Sequence, residues 1–107
     1  MIGRRLQPVA GRLPFAAGDA TQWQPGDYCG PLTGYTGPDL PAVFYRLPLP
    51  GCQRHLHHVY SPPHTFRECA DGSLEIRNSI LHKGYINDDV PDGEWHGFLN
   101  EGHVWTP

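Results

Sequence analysis

Histidine and cysteine are the residues of this chain whose type and spacing suggest chemistry. The sequence contains seven histidines and three cysteines, and five of the histidines fall between Cys52 and His82. Cys52 and His55 are separated by two residues, a gap that lets neighbouring ligands on a tight turn share one metal ion. His64 and Cys69 are separated by four residues, as ligands of a zinc knuckle are. The spacing predicts a zinc site whose ligands are Cys52, His55, His64 and Cys69.

A structural interpretation of the same residues competes with the zinc site. A zinc knuckle holds its ligands on turns, whereas strict alternation along a strand through residues 65–68 would point His64 and Cys69 to opposite faces. Exposed histidines at loop ends and a small buried cysteine also explain the pattern. We therefore expect no required cofactor and keep zinc as the candidate to test.

No arrangement typical of an active site stands out elsewhere in the sequence. None of the cysteines lies in a recognisable nucleophile turn. Glu68 and Glu75 are placed to face each other across a hairpin, although paired strand residues of this kind are usually surface charges. Residues 87–94 are acidic, but Val90 stands where a calcium loop needs an oxygen ligand, which favours a solvated loop. We predict that the protein is not an enzyme.

The composition predicts one small, mostly all-β domain. A chain of 107 residues fits a single domain, and its 13 glycines and 12 prolines interrupt every stretch long enough for a substantial helix. We expect a compact antiparallel sheet, arranged as a sandwich or a partly open barrel. The net charge of −3 argues against a nucleic-acid partner, and no apolar run approaches the roughly 18 residues that span a membrane. The odd number of cysteines is typical of reduced thiols in the cytosol.

Two β-hairpins are the clearest local predictions. The first joins residues 64–69 to residues 73–77 through an Asp-Gly turn, and alternation places Phe66, Leu74 and Ile76 on its inner face. The second joins residues 95–99 to residues 103–105, where Trp95 and Trp105 are expected to stack. Further strands are predicted at residues 42–47 and 55–60. Residues 78–94 are predicted to form one more strand or a single helical turn.

The N-terminal 25 residues are predicted to form an extended arm, separate from a β domain at residues 26–107. Three prolines and three glycines alternate along it, and residues 1–18 carry three arginines and no acid. Such a segment docks on a neighbouring subunit or remains a disordered tail. The residues predicted to bind a partner are Arg4, Arg5, Arg12 and Phe15.

The two hairpins also carry a resemblance. Residues 61–76 (SPPHTFRECADGSLEI) and 95–105 (WHGFLNEGHVW) resemble a family of small uncharacterised proteins encoded by bacteriophages and prophages. In that family a Pro-x-x-Phe-x-x-x-x-Asp-Gly-Ser-Leu hairpin precedes a Trp-His-Gly-x-Leu hairpin near the C-terminus. The resemblance covers about the last 50 residues and does not extend to the arm. It implies a phage or prophage origin and a compact β domain, and it assigns no functional residue.

Three functions fit these expectations. The first is a non-enzymatic minor virion component, such as a decoration, tail or connector protein, whose partners are other virion proteins or further copies of itself. The second is an accessory protein in the cytoplasm of the bacterial host, where it binds and inhibits a host factor. The third is a zinc-binding module.

Overall fold

A computed structural model describes residues 1–15, 22–34, 39–49 and 56–107. The described residues fold into two antiparallel sheets, one of three strands and one of four, and they contain no helix. The predicted all-β class is therefore confirmed. The strands are β1 (Tyr28–Leu32), β2 (Ala42–Tyr45), β3 (His57–Tyr60), β4 (Thr65–Glu68), β5 (Leu74–Gly84), β6 (Gly93–Asn100) and β7 (Val104–Thr106).

The first predicted hairpin is confirmed as β4 and β5. Phe66 pairs with Ile76, and Arg67 pairs with Glu75. Leu74 and Ile76 are fully buried, and Phe66 packs against the same core, as the alternation predicts. The turn between the strands uses the Asp-Gly pair, and Gly72 adopts a φ of 87°. Local sequence thus specifies this half of the four-stranded sheet.

The second predicted hairpin is confirmed as β6 and β7, and the region before it forms a strand. β5 continues to Gly84 and pairs along β6, with an irregularity in the register between Ile76 and Ile80. The helical turn considered for residues 78–94 is absent from this described stretch. The rings of Trp95 and Trp105 meet edge to face with centroids 5.8 Å apart, so the predicted contact between them is present.

Both faces of the three-stranded sheet are covered by other parts of the chain. This explains why all four residues of β2 are buried and none of them is charged. Val43 and Tyr45 belong to a core cluster shared with the four-stranded sheet. Ala42 and Phe44 belong to a second cluster on the opposite face, together with Leu13, Trp23 and Cys29. The predicted strands at residues 42–47 and 55–60 are both present, in shorter form.

The N-terminal segment is extended, but it lies on the chain's own domain. Trp105 N donates to Met1 O at 2.8 Å, and Gly3 N donates to His103 O at 2.8 Å, so the segment pairs beside β7. It then reaches β1, where Tyr28 N donates to Arg4 O and Leu6 N donates to Tyr28 O. We call Met1 to Leu6 the clasp, because it joins the edges of the two sheets. The arm expected to reach for a neighbour is therefore, over its first six residues, part of the fold.

The segment after the clasp also contributes to the core. Leu13 and Trp23 are 6% and 1% exposed within the second cluster, where they cover the outer face of the three-stranded sheet. The side chain of Arg46 donates to the carbonyl oxygen of Trp23, which ties this segment to the end of β2. Across the described residues, no helix is both long and apolar enough to cross a membrane.

Candidate functional site

The structure does not bring the predicted zinc ligands together where it describes them. Cys52 and His55 lie outside the described residues. His64 and Cys69 lie at opposite ends of β4. Five residue steps of about 3.3 Å place them about 16 Å apart, too far for both side chains to reach one metal ion at about 2–2.3 Å. His64 and Cys69 therefore do not share a metal.

His64 and Cys69 have unrelated surroundings. The ring of His64 lies 3.2 Å, through Nε2, from the carbonyl oxygen of Ser79 in β5. Cys69 is buried at the start of the first hairpin turn, and its Sγ donates to the Arg67 carbonyl oxygen at 3.7 Å. The contact of His64 lies just before β4 begins, and the contact of Cys69 lies where β4 ends and the hairpin turn starts.

A different group of metal-capable atoms surrounds Cys69. Its Sγ and carboxylate oxygens of Asp71 and Glu101 all lie within 4.8 Å of one another, where the two hairpin turns meet. The Asp71 carboxylate already accepts hydrogen bonds from both the hydroxyl and the backbone N–H of Ser73, and these bonds lower the pKa of Asp71. The Ser73 hydroxyl in turn accepts a hydrogen bond from Gly102 N. Hydrogen bonds from the chain's own donors thus hold Asp71 and Ser73 at this junction. Residue spacing in the sequence could not predict the group, because Glu101 belongs to the other hairpin.

Two of the four residues predicted to bind a partner are bound within the chain. Arg4 donates two hydrogen bonds, of 2.7 and 3.0 Å, to the carboxylate of Asp27, a residue that is 1% exposed. Arg5 donates to both carboxylate oxygens of Glu68 and to the carbonyl oxygen of Gly30. The Arg5 guanidinium lowers the pKa of Glu68 through these hydrogen bonds. Arg4 and Arg5 thus anchor the clasp, although the Arg4 side chain remains 55% exposed, and their binding of a partner stays a prediction.

The other two, Arg12 and Phe15, lie on a projecting turn. Val9 and Arg12 exchange two backbone hydrogen bonds of 2.8 and 3.0 Å across Ala10 and Gly11, whose φ angles are 52° and 75°. Two central residues with positive φ produce the tight hairpin turn whose twist matches β-strands. We call residues 7–15 the tip. Val9 and Phe15 are 65% and 54% exposed on it, so the tip presents apolar side chains to its surroundings.

A polar hollow of about 310 Å³ lies beside Arg12, and its walls are formed by Ala10, Gly11, Arg12, Thr33 and Gly34. The Arg12 side chain has no hydrogen bond or ion pair within the described part of the chain. A guanidinium carries five donors, which favour a carboxylate or phosphate. Arg12 therefore offers its full donor capacity at the surface.

A second hollow, of about 270 Å³, lies where the two ends of the chain meet. It is lined by Met1, Pro48, Leu49, Trp95, Trp105, Thr106 and Pro107. Both tryptophans are largely buried, and Trp105 Nε1 donates to the Gly26 carbonyl oxygen at 2.8 Å. The indoles are thus committed to the core and the clasp.

The acidic loop at residues 87–94 folds without gathering metal ligands. Asn87 Oδ1 accepts hydrogen bonds from the backbone N–H groups of Asp89 and Val90 at 2.9 and 2.8 Å. Val90 N also donates to Asn87 O, which closes a tight turn. Within the described ranges, three such metal-capable side chains converge around Cys69 and not in this loop.

The residues considered for catalysis are also separated or buried. Glu68 is held by Arg5, and Glu75 pairs with Arg67, so the two carboxylates do not face each other as the sequence suggested. Burial raises the pKa of the Cys29 thiol to about 11, which keeps the sulfur protonated at neutral pH. The described geometry therefore points to the exposed tip rather than to a catalytic pair. Comparisons of the chain with protein-family models, with curated proteins and with solved structures found no match.

Proposed function

We propose that this protein is a non-enzymatic binding protein of phage or prophage origin, and that it serves as a minor virion component through the tip. The observation that carries the proposal is the distribution of exposed apolar side chains. Six large apolar residues of the described chain are exposed, and four of them fall within the first 15 residues. Val9 and Phe15 of these four lie on the tip, and Met1 and Ile2 lie on the neighbouring clasp. Apolar side chains concentrated in one exposed segment are typical of a protein-binding surface.

The residue types on the tip support a protein partner. Aromatic residues and arginine are enriched at the centres of protein interfaces, where they contribute most of the binding free energy. Phe15 and Arg12 supply one of each, and the hollow beside Arg12 leaves room for a side chain of the partner. The proposed contact therefore consists of an apolar surface around a charged group that recognises an acidic one.

The clasp makes this surface rigid. Leu6 is hydrogen bonded to Tyr28 just before the tip, and Leu13, within the tip, is buried in the second core cluster. Because the turn between Leu6 and Leu13 is closed by its own hydrogen bonds, this part of the tip loses little conformational entropy on binding. This is the behaviour expected of an assembly protein that must add to a particle at a defined angle.

The proposal is tested on virions of the phage, or of the induced prophage, that encodes the protein. We expect mass spectrometry to find the chain in purified particles, and the tagged protein to bind particles that lack it. Val9→Ser combined with Phe15→Ser should abolish this binding. The matched control is Leu81→Ser, which removes an apolar side chain of 51% exposure from the outer face of β5.

Two results would contradict the proposal. Particles free of the protein, together with capture of a defined host protein by the intact tip, would favour the accessory role in the host cytoplasm. Equal loss of particle binding in the Leu81→Ser control would show that the tip is not the contact surface.

A further inference from the structure

The acidic loop is a second charged surface of the fold, in which Asp88 accepts a hydrogen bond from the Tyr85 hydroxyl and Glu94 lies opposite Lys83 of β5. Asp88, Asp89, Asp92 and Glu94 are all exposed, and none of them forms an ion pair with a described residue. Residues 84–102 contain no lysine or arginine. Val90, 43% exposed, lies in the middle of these carboxylates. The loop thus combines one apolar side chain with surrounding negative charge.

The loop has a fixed shape, as a binding surface needs. Ile86 is buried in the core shared by the two sheets, and its N–H donates to Val90 O at 3.0 Å. Asn87 accepts two backbone hydrogen bonds within the same turn. Because the loop is anchored in the core and closed by its own hydrogen bonds, its carboxylates are held in place before any partner arrives.

We propose that the acidic loop of one copy of this chain binds the tip of a second copy. Arg12 lies among the carboxylates of the partner copy, and Val90 packs against Val9 and Phe15. The tip carries an arginine and no acid, the loop carries four acids and no base, and each presents exposed apolar side chains. This charge complementarity selects a second copy as the occupant. The inference rests on the proposed function, because it uses the same tip.

The contact joins two different surfaces, so it is heterologous. Heterologous contacts build closed rings or open arrays, which are the assemblies that decoration and connector proteins form. A single exposed ion pair contributes little to binding, so association in solution should be weak and should decrease as salt screens the charges. On a particle, a copy bound through its own tip still presents its acidic loop, which can hold the tip of a further copy.

Sedimentation velocity over a series of concentrations, at low and high NaCl, tests the proposal. We expect reversible self-association that high salt weakens. Arg12→Glu should weaken it about tenfold or more, because it replaces attraction by repulsion at the contact. The double variant Asp89→Arg with Asp92→Arg should do the same from the other side. Arg77→Glu makes the same charge change on the outer face of β5, and this control should associate as the wild type does.

Mixing the two weakened variants gives the decisive result. In the mixture the unaltered tip of the loop variant meets the unaltered loop of the Arg12→Glu variant, and the glutamate at position 12 meets the arginines of the altered loop, so association should return, at wild-type strength within about threefold. Monomers in the mixture and in the wild type would overturn self-association, and particle binding by the wild-type tip would still support the proposed function. Association that Arg12→Glu leaves unchanged would also overturn the inference.

Discussion

Gly3 lies where the clasp passes the Gly26 carbonyl, and this position has no room for a side chain. A Cβ added at Gly3 would stand 2.1 Å from Gly26 O and 2.9 Å from Trp105 Nε1. The first atom belongs to the backbone, so a side-chain rotation cannot relieve the overlap. Gly3→Ala should therefore lift the clasp away from the edge of β7.

The cost follows from the hydrogen bonds at the crossing. Gly3 N to His103 O, Trp105 N to Met1 O and Trp105 Nε1 to Gly26 O are each 2.8 Å long. At about 1 kcal/mol net for each bond, loss of all three lowers the free energy of unfolding by about 3 kcal/mol. For a domain of this length the melting temperature should decrease by about 12 °C or more.

Urea denaturation followed by tryptophan fluorescence measures the effect. The control is Gln7→Ala, which truncates an exposed side chain just beyond the clasp and should change the stability by less than about 0.5 kcal/mol. A Gly3→Ala variant as stable as this control would refute the reasoning, because it would show that the N-terminus contributes nothing to the fold.

Three further predictions address individual contacts. The buried Cys29 thiol, with its pKa raised to about 11, should resist iodoacetamide at pH 8 in the native protein and react in urea. Peptide mass spectrometry measures this labelling, and rapid labelling of the native protein would contradict the burial. Ser73→Ala leaves the N–H of Gly102 without its acceptor and should cost about 1–3 kcal/mol in urea denaturation, whereas a neutral result would mean that water replaces the hydroxyl. The pKa of Glu68 lies below its ordinary value of 4.5, so the pair with Arg5 stabilises the fold above pH 4.5. This contribution is at most about 1 kcal/mol, and it is lost as the pH falls through the lowered pKa. Glu68→Gln should therefore be slightly less stable than the wild type at pH 6 and should lose less stability between pH 6 and pH 3. If the free energies of unfolding of the two proteins decreased in parallel over this range, the pair would be excluded as a source of acid sensitivity.

The sequence predicts those parts of the fold in which neighbouring residues specify the strands and the turn between them. In the first hairpin, Phe66, Leu74 and the Asp-Gly turn lie within nine residues, so alternation and turn type specify the register directly. The second hairpin is equally short. β1 is harder to identify, because Gly30 and Pro31 interrupt it and its buried side chains are only those of Tyr28 and Cys29.

The parts that the sequence does not predict depend on contacts between distant residues. Arg5 and Glu68 are 63 residues apart, and no local pattern indicates that the charge of one is neutralised by the other. The spacing argument for zinc has the same weakness. The gap between His64 and Cys69 is typical of ligands that lie on a turn, but in the structure the two residues flank the strand β4. Arg12 and Phe15, predicted from the sequence to bind a partner, are both exposed, and their binding of a partner stays a prediction.

The clasp also determines which part of the N-terminal segment is available for binding. A free arm would present three arginines to a partner, but Arg4 and Arg5 are used to hold the arm on its own domain. Because Arg4 and Arg5 are paired with carboxylates, Arg12 is the arginine of the segment without an ion pair among the described residues. If the tip is the binding surface, as proposed, variants that weaken the clasp should weaken partner binding by loosening the tip. Gly3→Ala tests this link, because it should reduce both stability and particle binding, whereas Phe15→Ser should reduce binding alone.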